Sequence, residues 1–158
     1  MHIATSIPKN DNRRQDGEYI YVLEAVINGT PHTKEGTGYE RCTTRNRLVL
    51  LALDDALGCL KDGADLAVYT DNQNIMFGIR EGWIYRWKSD GFQRSQIKAG
   101  KKYFLPLENA DLWERIYYKL DGHTLTWPDS PDSYLGWMRE ELHRREKEIM
   151  IEHYKRYT

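Results

Sequence analysis

The fold of this chain is decided by TTRNRLVLLALDDAL at residues 43–57 and by LAVYTDNQNI at residues 66–75. In the first stretch, two hydroxyl side chains precede apolar residues that recur every three or four positions, which predicts a capped helix buried along most of its length. The second begins as a short apolar run, which is typical of a strand inside a sheet. We expect Lys61-Asp62-Gly63 to end the helix. A buried helix followed by a buried strand indicates a layered α/β domain.

The residues before this helix predict a β-hairpin. Residues 18–27, EYIYVLEAVI, are rich in Tyr, Val and Ile, and the Asn28-Gly29 pair that follows is typical of a tight two-residue turn. Residues 33–41 would supply the partner strand.

The residues after the second stretch predict two short helices. Asp71-Asn72 can cap a helix that runs to Arg80, and Gly82 precedes a second helical piece in WIYRWKSDGF. Residues 94–107 are basic, and we expect them to be irregular.

The last third of the chain predicts a helix over residues 109–120, a short strand over residues 123–127, and a highly charged helix over about residues 134–157. The PDSPDS segment before that last helix has the composition of a linker. The sequence therefore divides into a core at residues 1–127 and, at residues 128–158, a linker with a C-terminal helix that packs on the core or on a partner.

Composition excludes several classes of protein. The chain has 158 residues, the length of one domain, and its 12 % aromatic content argues against intrinsic disorder. The longest apolar run, Leu48 to Leu53, is too short for a membrane span, and Met1–Pro8 has no apolar export segment. A net charge of -1 excludes a uniformly basic coat for nucleic acid. Cys42 and Cys59 lack metal-ligand spacing, so we expect reduced thiols in a cytoplasmic protein.

Four blocks together resemble type 1 ribonuclease H. They are TTRNRLVLLALDDAL, LAVYTDNQNI, GIREGWIYRWKSDGF and NADLWERI. In the same order the family reads Thr-Thr-Asn-Asn-Arg-Met-Glu-Leu, Ser-Thr-Asp-Ser-Gln, Trp-Ile-x-x-Trp-Lys-x-x-Gly and Asn-x-Asp-Leu-Trp. The resemblance covers residues 1–127 well and the last helix loosely. It implies the ribonuclease H-like fold, a five-stranded mixed sheet in the order 3-2-1-4-5 with helices on both faces.

The resemblance also implies a metal site, and here the sequence departs from the family. Four family carboxylates hold two magnesium ions, which activate a water and stabilise the leaving oxygen during phosphodiester cleavage. One acid position is kept, at Asp71. The first falls at Ser6 and the second at Val49, while the fourth corresponds to Glu140 or Glu141. The family's Gly-His loop before the fourth acid is missing, so we expect no cofactor, or Mg²⁺ or Mn²⁺ if the residual site is active.

Contact with nucleic acid does not require these metals, because cations that face phosphates and contacts to sugar edges supply most of it. Asn46 and Gln73 match family positions that touch the sugar edges of an RNA–DNA hybrid, and Arg45 replaces a family Asn. Thr44 lies at a helix N-terminus, which can receive a phosphate.

The stretch from Arg80 to Lys102 is strongly basic, with seven Lys and Arg against two acids. Tryptophans are interleaved with these cations, as in the basic protrusion with which the family grips its hybrid. The predicted nucleic-acid-binding residues are therefore Thr44, Arg45, Asn46, Gln73, Trp83, Trp87, Lys88, Lys101 and Lys102.

Structural roles can explain the same residues. Asp71 stands after a strand and before a helix, where it could simply be an N-cap. Trp83 and Trp87 could pack a helix onto the sheet, Asn46 and Gln73 could stabilise turns, and the basic stretch could be a solvated surface.

Three functions remain open at this point. The first, which the pairing of kept fold blocks with missing acids favours, is a catalytically impaired ribonuclease H-like protein that binds an RNA–DNA hybrid or other nucleic acid, or serves as an interaction module. The alternative is an active metal-dependent hybrid endoribonuclease that uses Asp71 with non-standard ligands. The third is assembly through the charged C-terminal helix, as a homodimer or with a partner, and no membrane is involved in any of the three.

Overall fold

The computed structural model describes residues 1–61 and 63–157, so Asp62 in the predicted helix end lies outside the described residues. The elements in chain order are β1 (His2–Thr5), β2 (Gln15–Ile27), β3 (Thr30–Thr43), α1 (Arg45–Gly58), β4 (Asp65–Ala67), α2 (Gln73–Arg80), α3 (Trp83–Ser89), β5 (Gln93–Lys98), β6 (Lys101–Pro106), α4 (Ala110–Lys119), β7 (Thr124–Thr126) and α5 (Leu135–Tyr157). No helix in these ranges is both long and apolar enough to cross a bilayer.

The first three strands form an antiparallel sheet in the order β1-β2-β3. Asn28 and Gly29 both have positive φ angles, of 52° and 77°, which is the backbone of the predicted two-residue turn. β2 and β3 are longer than predicted, because the backbone ladder continues through polar residues that carry no hydrophobic signal.

The expected mixed α/β fold is present, but the single five-stranded sheet in the order 3-2-1-4-5 is not confirmed. β4 pairs in parallel with β7 in a separate two-stranded sheet. One parallel bridge, between His2 and Tyr69, joins that pair to β1. Val68 N–H donates to the carbonyl of Thr126, whereas Tyr69 N–H donates to that of Met1, so at these two residues the chain has β7 on one side and β1 on the other.

Helices cover both faces of the β1-β2-β3 sheet. On one face α1 is the centre of the main core, in which Leu50, Ala52 and Ala56 are fully buried. On the other face Met138 and Leu142 of α5 pack against β1 and β2 in a second, smaller core. The first half of α5 therefore packs on the domain.

Residues 94–107 were expected to be irregular, and this expectation is wrong for most of the segment. They fall largely in the antiparallel β5–β6 hairpin, whose turn residues Ala99 and Gly100 both have positive φ angles. The hairpin was missed because Ala-Gly is a weak turn signal and because the lysines on both strands resemble those of a loop.

Candidate functional site

A cavity of about 700 Å³ opens where β1 ends and faces the first half of α5. Because β1 runs parallel to the segment at Tyr69, the ends of these two strands bring Ser6 and Asp71 to the same edge. Arg45 from the start of α1 and Arg139 from α5 complete this part of the wall. We call this cavity the cleft.

Asp71, the acid that the resemblance keeps, is paired with a cation from this chain. A guanidinium nitrogen of Arg45 donates to Asp71 Oδ1 in a short ion pair. The Arg45 side chain is 11 % exposed, while that of Asp71 is 49 % exposed. Arg45 thus neutralises the Asp71 carboxylate on the side that faces the protein, while the other side of the carboxylate is open to the cleft.

The other acid positions of the resemblance are not assembled around Asp71. The Ser6 hydroxyl lies at the cleft but accepts a hydrogen bond from the Glu18 N–H at 2.9 Å. Val49 is 2 % exposed and belongs to the main core. Glu140 is exposed and lies away from the cleft wall, where its neighbour Arg139 stands instead.

The predicted contact residues at the start of α1 make structural hydrogen bonds. Thr44 caps α1 by accepting from the Arg47 N–H at 3.3 Å. Asn46 accepts from Asn72 Nδ2 at 2.7 Å, and Asn72 caps α2 by accepting from the N–H of Ile75. The alternative in which Asp71 is the N-cap is therefore wrong. Gln73 is exposed on the cleft wall.

Arg47 holds the entrance of α1 in place. Its guanidinium donates to Glu40 of β3 at 2.8 Å and to Asp111 of α4 at 2.9 Å. The hydrogen bond from Arg47 is the main reason that the pKa of Asp111 lies below its ordinary value. This network fixes the helix that presents Arg45 to the cleft.

The predicted basic and aromatic residues are spread over α3 and the β5–β6 hairpin. The Trp87 ring is half-buried and lies 4.8 Å from the Trp113 ring, so it packs α3 onto α4, whereas Trp83 is largely exposed. The Lys88 ammonium lies 5.5 Å over the Tyr118 ring, and its hydrogen bond to Tyr118 is the largest cause of its raised pKa. Lys101 and Lys102 are exposed on β6.

The family model for RNase H matches residues 9–128 of this chain. The chain belongs to the RNase H family. Among curated relatives it is 39 % identical to a ribonuclease H of Dechloromonas aromatica (strain RCB) over 103 residues, 65 % of this chain and 64 % of that protein. It is 38 % identical to a ribonuclease H of Cupriavidus metallidurans over 103 residues, 65 % of this chain and 66 % of that protein. The chain thus spans just under two thirds of the length of these relatives.

Solved structures agree on the fold. LC9-RNase H1, described as a type 1 RNase H with the type 2 active-site motif, superposes with a TM-score of 0.61 at 20 % identity, covering 90 % of this chain and 68 % of that one. The RNase H domain of PFV superposes with a TM-score of 0.55 at 14 % identity, covering 89 % of this chain and 87 % of that one. At these identities the likeness concerns the RNase H fold alone.

The metal pair of the RNase H family does not fit the residues in this cleft. Mg²⁺ requires several hard oxygen ligands in near-octahedral geometry, and of the positions that the resemblance implies for the four family acids only Asp71 brings a carboxylate to the wall. The Arg45 guanidinium beside it repels a divalent cation. Asp132, another acid of the wall, is bound to His2 Nδ1 at 2.6 Å. No group of three acids, histidines or cysteines within residues 1–61 and 63–157 could hold a metal ion.

Sequence reasoning missed Arg139 as a residue of this RNase H-fold cleft. The PDSPDS linker does not reveal how α5 is rotated about its own axis. The sequence alone therefore could not decide whether Glu140 or Glu141 corresponds to the fourth acid of the family. The signal was the apolar pair Met138 and Leu142, which packs on the sheet. Once that pair faces inward, residues three and four apart share the next face, which places Arg139, His143 and Glu146 along the cleft.

Proposed function

We propose that this RNase H family member binds nucleic acid, an RNA–DNA hybrid or another duplex, and that its cleft does not perform two-metal hydrolysis. The observation that carries the proposal is the ion pair between Arg45 and Asp71. It places a cation of the protein beside the carboxylate that a metal ion would need.

Cations at the cleft support the binding part of the proposal. Lys9, Arg45 and Arg139 line it, and each can donate to phosphate oxygens without any metal. Gln73 is exposed on the same wall, where its amide could reach a sugar edge. Relatives named ribonuclease H are 34 to 39 % identical to this chain, which favours nucleic acid over other ligands.

Binding is tested by fluorescence anisotropy with a labelled RNA–DNA hybrid at several salt concentrations. We expect the logarithm of the association constant to fall linearly with the logarithm of salt, because counterions are released. Arg139→Gln should reduce that slope by about one, while Lys34→Gln on the distal part of β3 should leave it unchanged. No binding even at low salt would overturn this part of the proposal.

Catalysis is tested by incubating the same hybrid with Mg²⁺ and with Mn²⁺. We expect the wild type and Asp71→Asn to leave the strands intact to the same extent. Cleavage by the wild type that Asp71→Asn abolishes would overturn the loss of hydrolysis. Cleavage that survives the substitution has to come from another nuclease in the preparation, and a preparation freed of it should leave the hybrid intact.

One observation favours the alternative, an active hybrid endoribonuclease with Mg²⁺ or Mn²⁺ and non-standard ligands. Asp129 and Glu146 line the cleft, although neither corresponds to a family acid. If these two acids complete a metal site with Asp71, then Glu146→Gln should abolish cleavage of the hybrid, as Asp71→Asn should.

A homodimer through α5, an interaction role for the chain and a cytoplasmic location remain predictions. The apolar side chains of Trp137 and Ile149 in α5 are both 42 % exposed. Light scattering on the whole chain and on Ile149→Glu tests the dimer, since a mass of one chain for both would contradict it. Cys42 and Cys59 are free thiols.

A further inference from the structure

The β5–β6 hairpin exposes apolar and aromatic side chains that do not contribute to the core. Every residue of β5 and β6 is exposed, including Ile97 at 77 %, Phe104 at 63 % and Tyr103 at 48 %. The hairpin is joined to the domain at its base, where the Leu107 N–H donates to the carbonyl of buried Phe92 at 2.9 Å. An arm that exposes several rings in this way indicates a binding surface.

The strand register divides the hairpin into two chemically different faces. Gln96 pairs with Tyr103, and Lys98 pairs with Lys101, so Tyr103 shares its face with cations. Arg94, paired with Leu105, lies on this face too. We call it the Tyr103 face. The opposite face carries Phe104, with the Lys102 ammonium 5.3 Å over its ring.

The positive charges on the Tyr103 face favour the binding of an anion. Lys98 and Lys101 lie directly opposite one another beside the turn, and like charges in that position destabilise a hairpin. Residues 93–107 contain no acid that could compensate for them. A phosphate between the two ammonium groups would turn this repulsion into two attractive contacts.

We propose that the Tyr103 face binds single-stranded nucleic acid, with a phosphate held between Lys98 and Lys101 and an unpaired base stacked on Tyr103. This inference rests on the proposed function, since it names the form of nucleic acid that the chain recognises outside the cleft. A duplex would offer phosphates to the lysines but no free base to the ring, whereas a single strand satisfies both.

The test compares a blunt RNA–DNA hybrid with the same hybrid carrying a single-stranded extension of about ten nucleotides, the size of an ordinary single-strand site. The extension should tighten binding by about fivefold or more, the low end for stacking of one base on an aromatic ring. Tyr103→Ala should abolish this gain and Tyr103→Phe should keep it. Phe104→Ala is the matched control, because it removes a more exposed ring from the opposite face and should keep the gain.

The outcomes separate this inference from the proposed function. Failure of the wild type to bind either substrate would overturn the proposed function and this inference with it. Equal binding of both substrates, or a gain that survives Tyr103→Ala, would overturn the inference and leave the proposed function standing. In support of it, Lys98→Gln with Lys101→Gln should lower the salt slope for the extended substrate by about 1.4, two single-strand phosphate contacts.

Discussion

Glu18 shows how single residues join the C-terminal helix to the sheet. Its side chain is buried in β2, and Arg145 of α5 donates to its Oε2 at 3.3 Å, while its Oε1 has no hydrogen-bond partner among the described residues. Removing the charged partner of a buried carboxylate lowers the free energy of unfolding by much more than the intact pair contributes to it, because the remaining charge is buried without compensation. The position of α5 against β2 therefore depends on Arg145.

Arg145→Met should lower the free energy of unfolding by about 1–3 kcal/mol, because it leaves the Glu18 carboxylate buried without a cation. Urea denaturation measures the loss. The double variant Glu18→Gln with Arg145→Met should recover part of it, since the charge is then removed as well. An unchanged midpoint for Arg145→Met would show that the pair contributes nothing.

Asp111 should make stability depend on pH in acid. Its pKa is lowered in the folded protein, chiefly by the hydrogen bond from Arg47, so the folded state binds fewer protons than the unfolded state in this range. The contribution is complete above the ordinary Asp pKa of about 3.9 and is lost as the pH falls through the lower folded value. Urea unfolding from pH 5 to pH 3 should therefore show a smaller loss of stability in Asp111→Asn than in the wild type. Equal losses would contradict the role of Asp111.

At the scale of elements, the β2–β3 hairpin packs tyrosine rings over glycines. Tyr21 pairs with Gly36 and Tyr19 pairs with Gly38 across the two strands. A Cβ on either glycine would lie 2.3 Å from the ring opposite. Tyr21 is buried and its hydroxyl contacts Cys59 Sγ, whereas Tyr19 is partly exposed and its hydroxyl donates to Asp55.

Gly36→Ala should therefore destabilise the protein more than Gly38→Ala, by about 1–3 kcal/mol, because the buried Tyr21 ring cannot move aside. Thermal unfolding of the two variants measures the difference. Gly136→Ala is the matched control, since a Cβ there meets nothing within 4 Å in α5 and should be neutral or stabilising. Equal costs at Gly36 and Gly38 would show that the Tyr21 ring yields as easily as that of Tyr19.

For the whole molecule, the cleft predicts how stability responds to metal ions. A ligand that binds only the folded state raises the melting temperature, and above its Kd the rise grows with the logarithm of the ligand concentration. Because Arg45 occupies Asp71 and the other family acids are not assembled, millimolar Mg²⁺ or Mn²⁺ at constant ionic strength should leave the melting temperature unchanged. A rise that grows with the metal concentration and disappears in Asp71→Asn would reveal a metal site in the cleft.

Local signals predicted most of the elements correctly. The cap at Thr44, the periodic apolar residues of α1 and the Asn28-Gly29 turn each depend on neighbours a few positions away, and all three are present. The β5–β6 hairpin lacked such a signal. Its strands are polar and exposed, and they pair through backbone hydrogen bonds, to which side-chain hydrophobicity contributes no pattern.

Residue identity and order were enough to predict the family and the mixed α/β fold, both of which are confirmed. The retained acid at Asp71 and the replaced acids at Ser6 and Val49 remain predictions from the resemblance. The packed structure was needed to show that Arg45 neutralises Asp71, that Arg139 and not Glu140 faces the cleft, and that Tyr103 shares a face with cations. Each of these depends on distances between separate elements or on the rotation of a helix or strand. The packing of the whole chain sets those quantities.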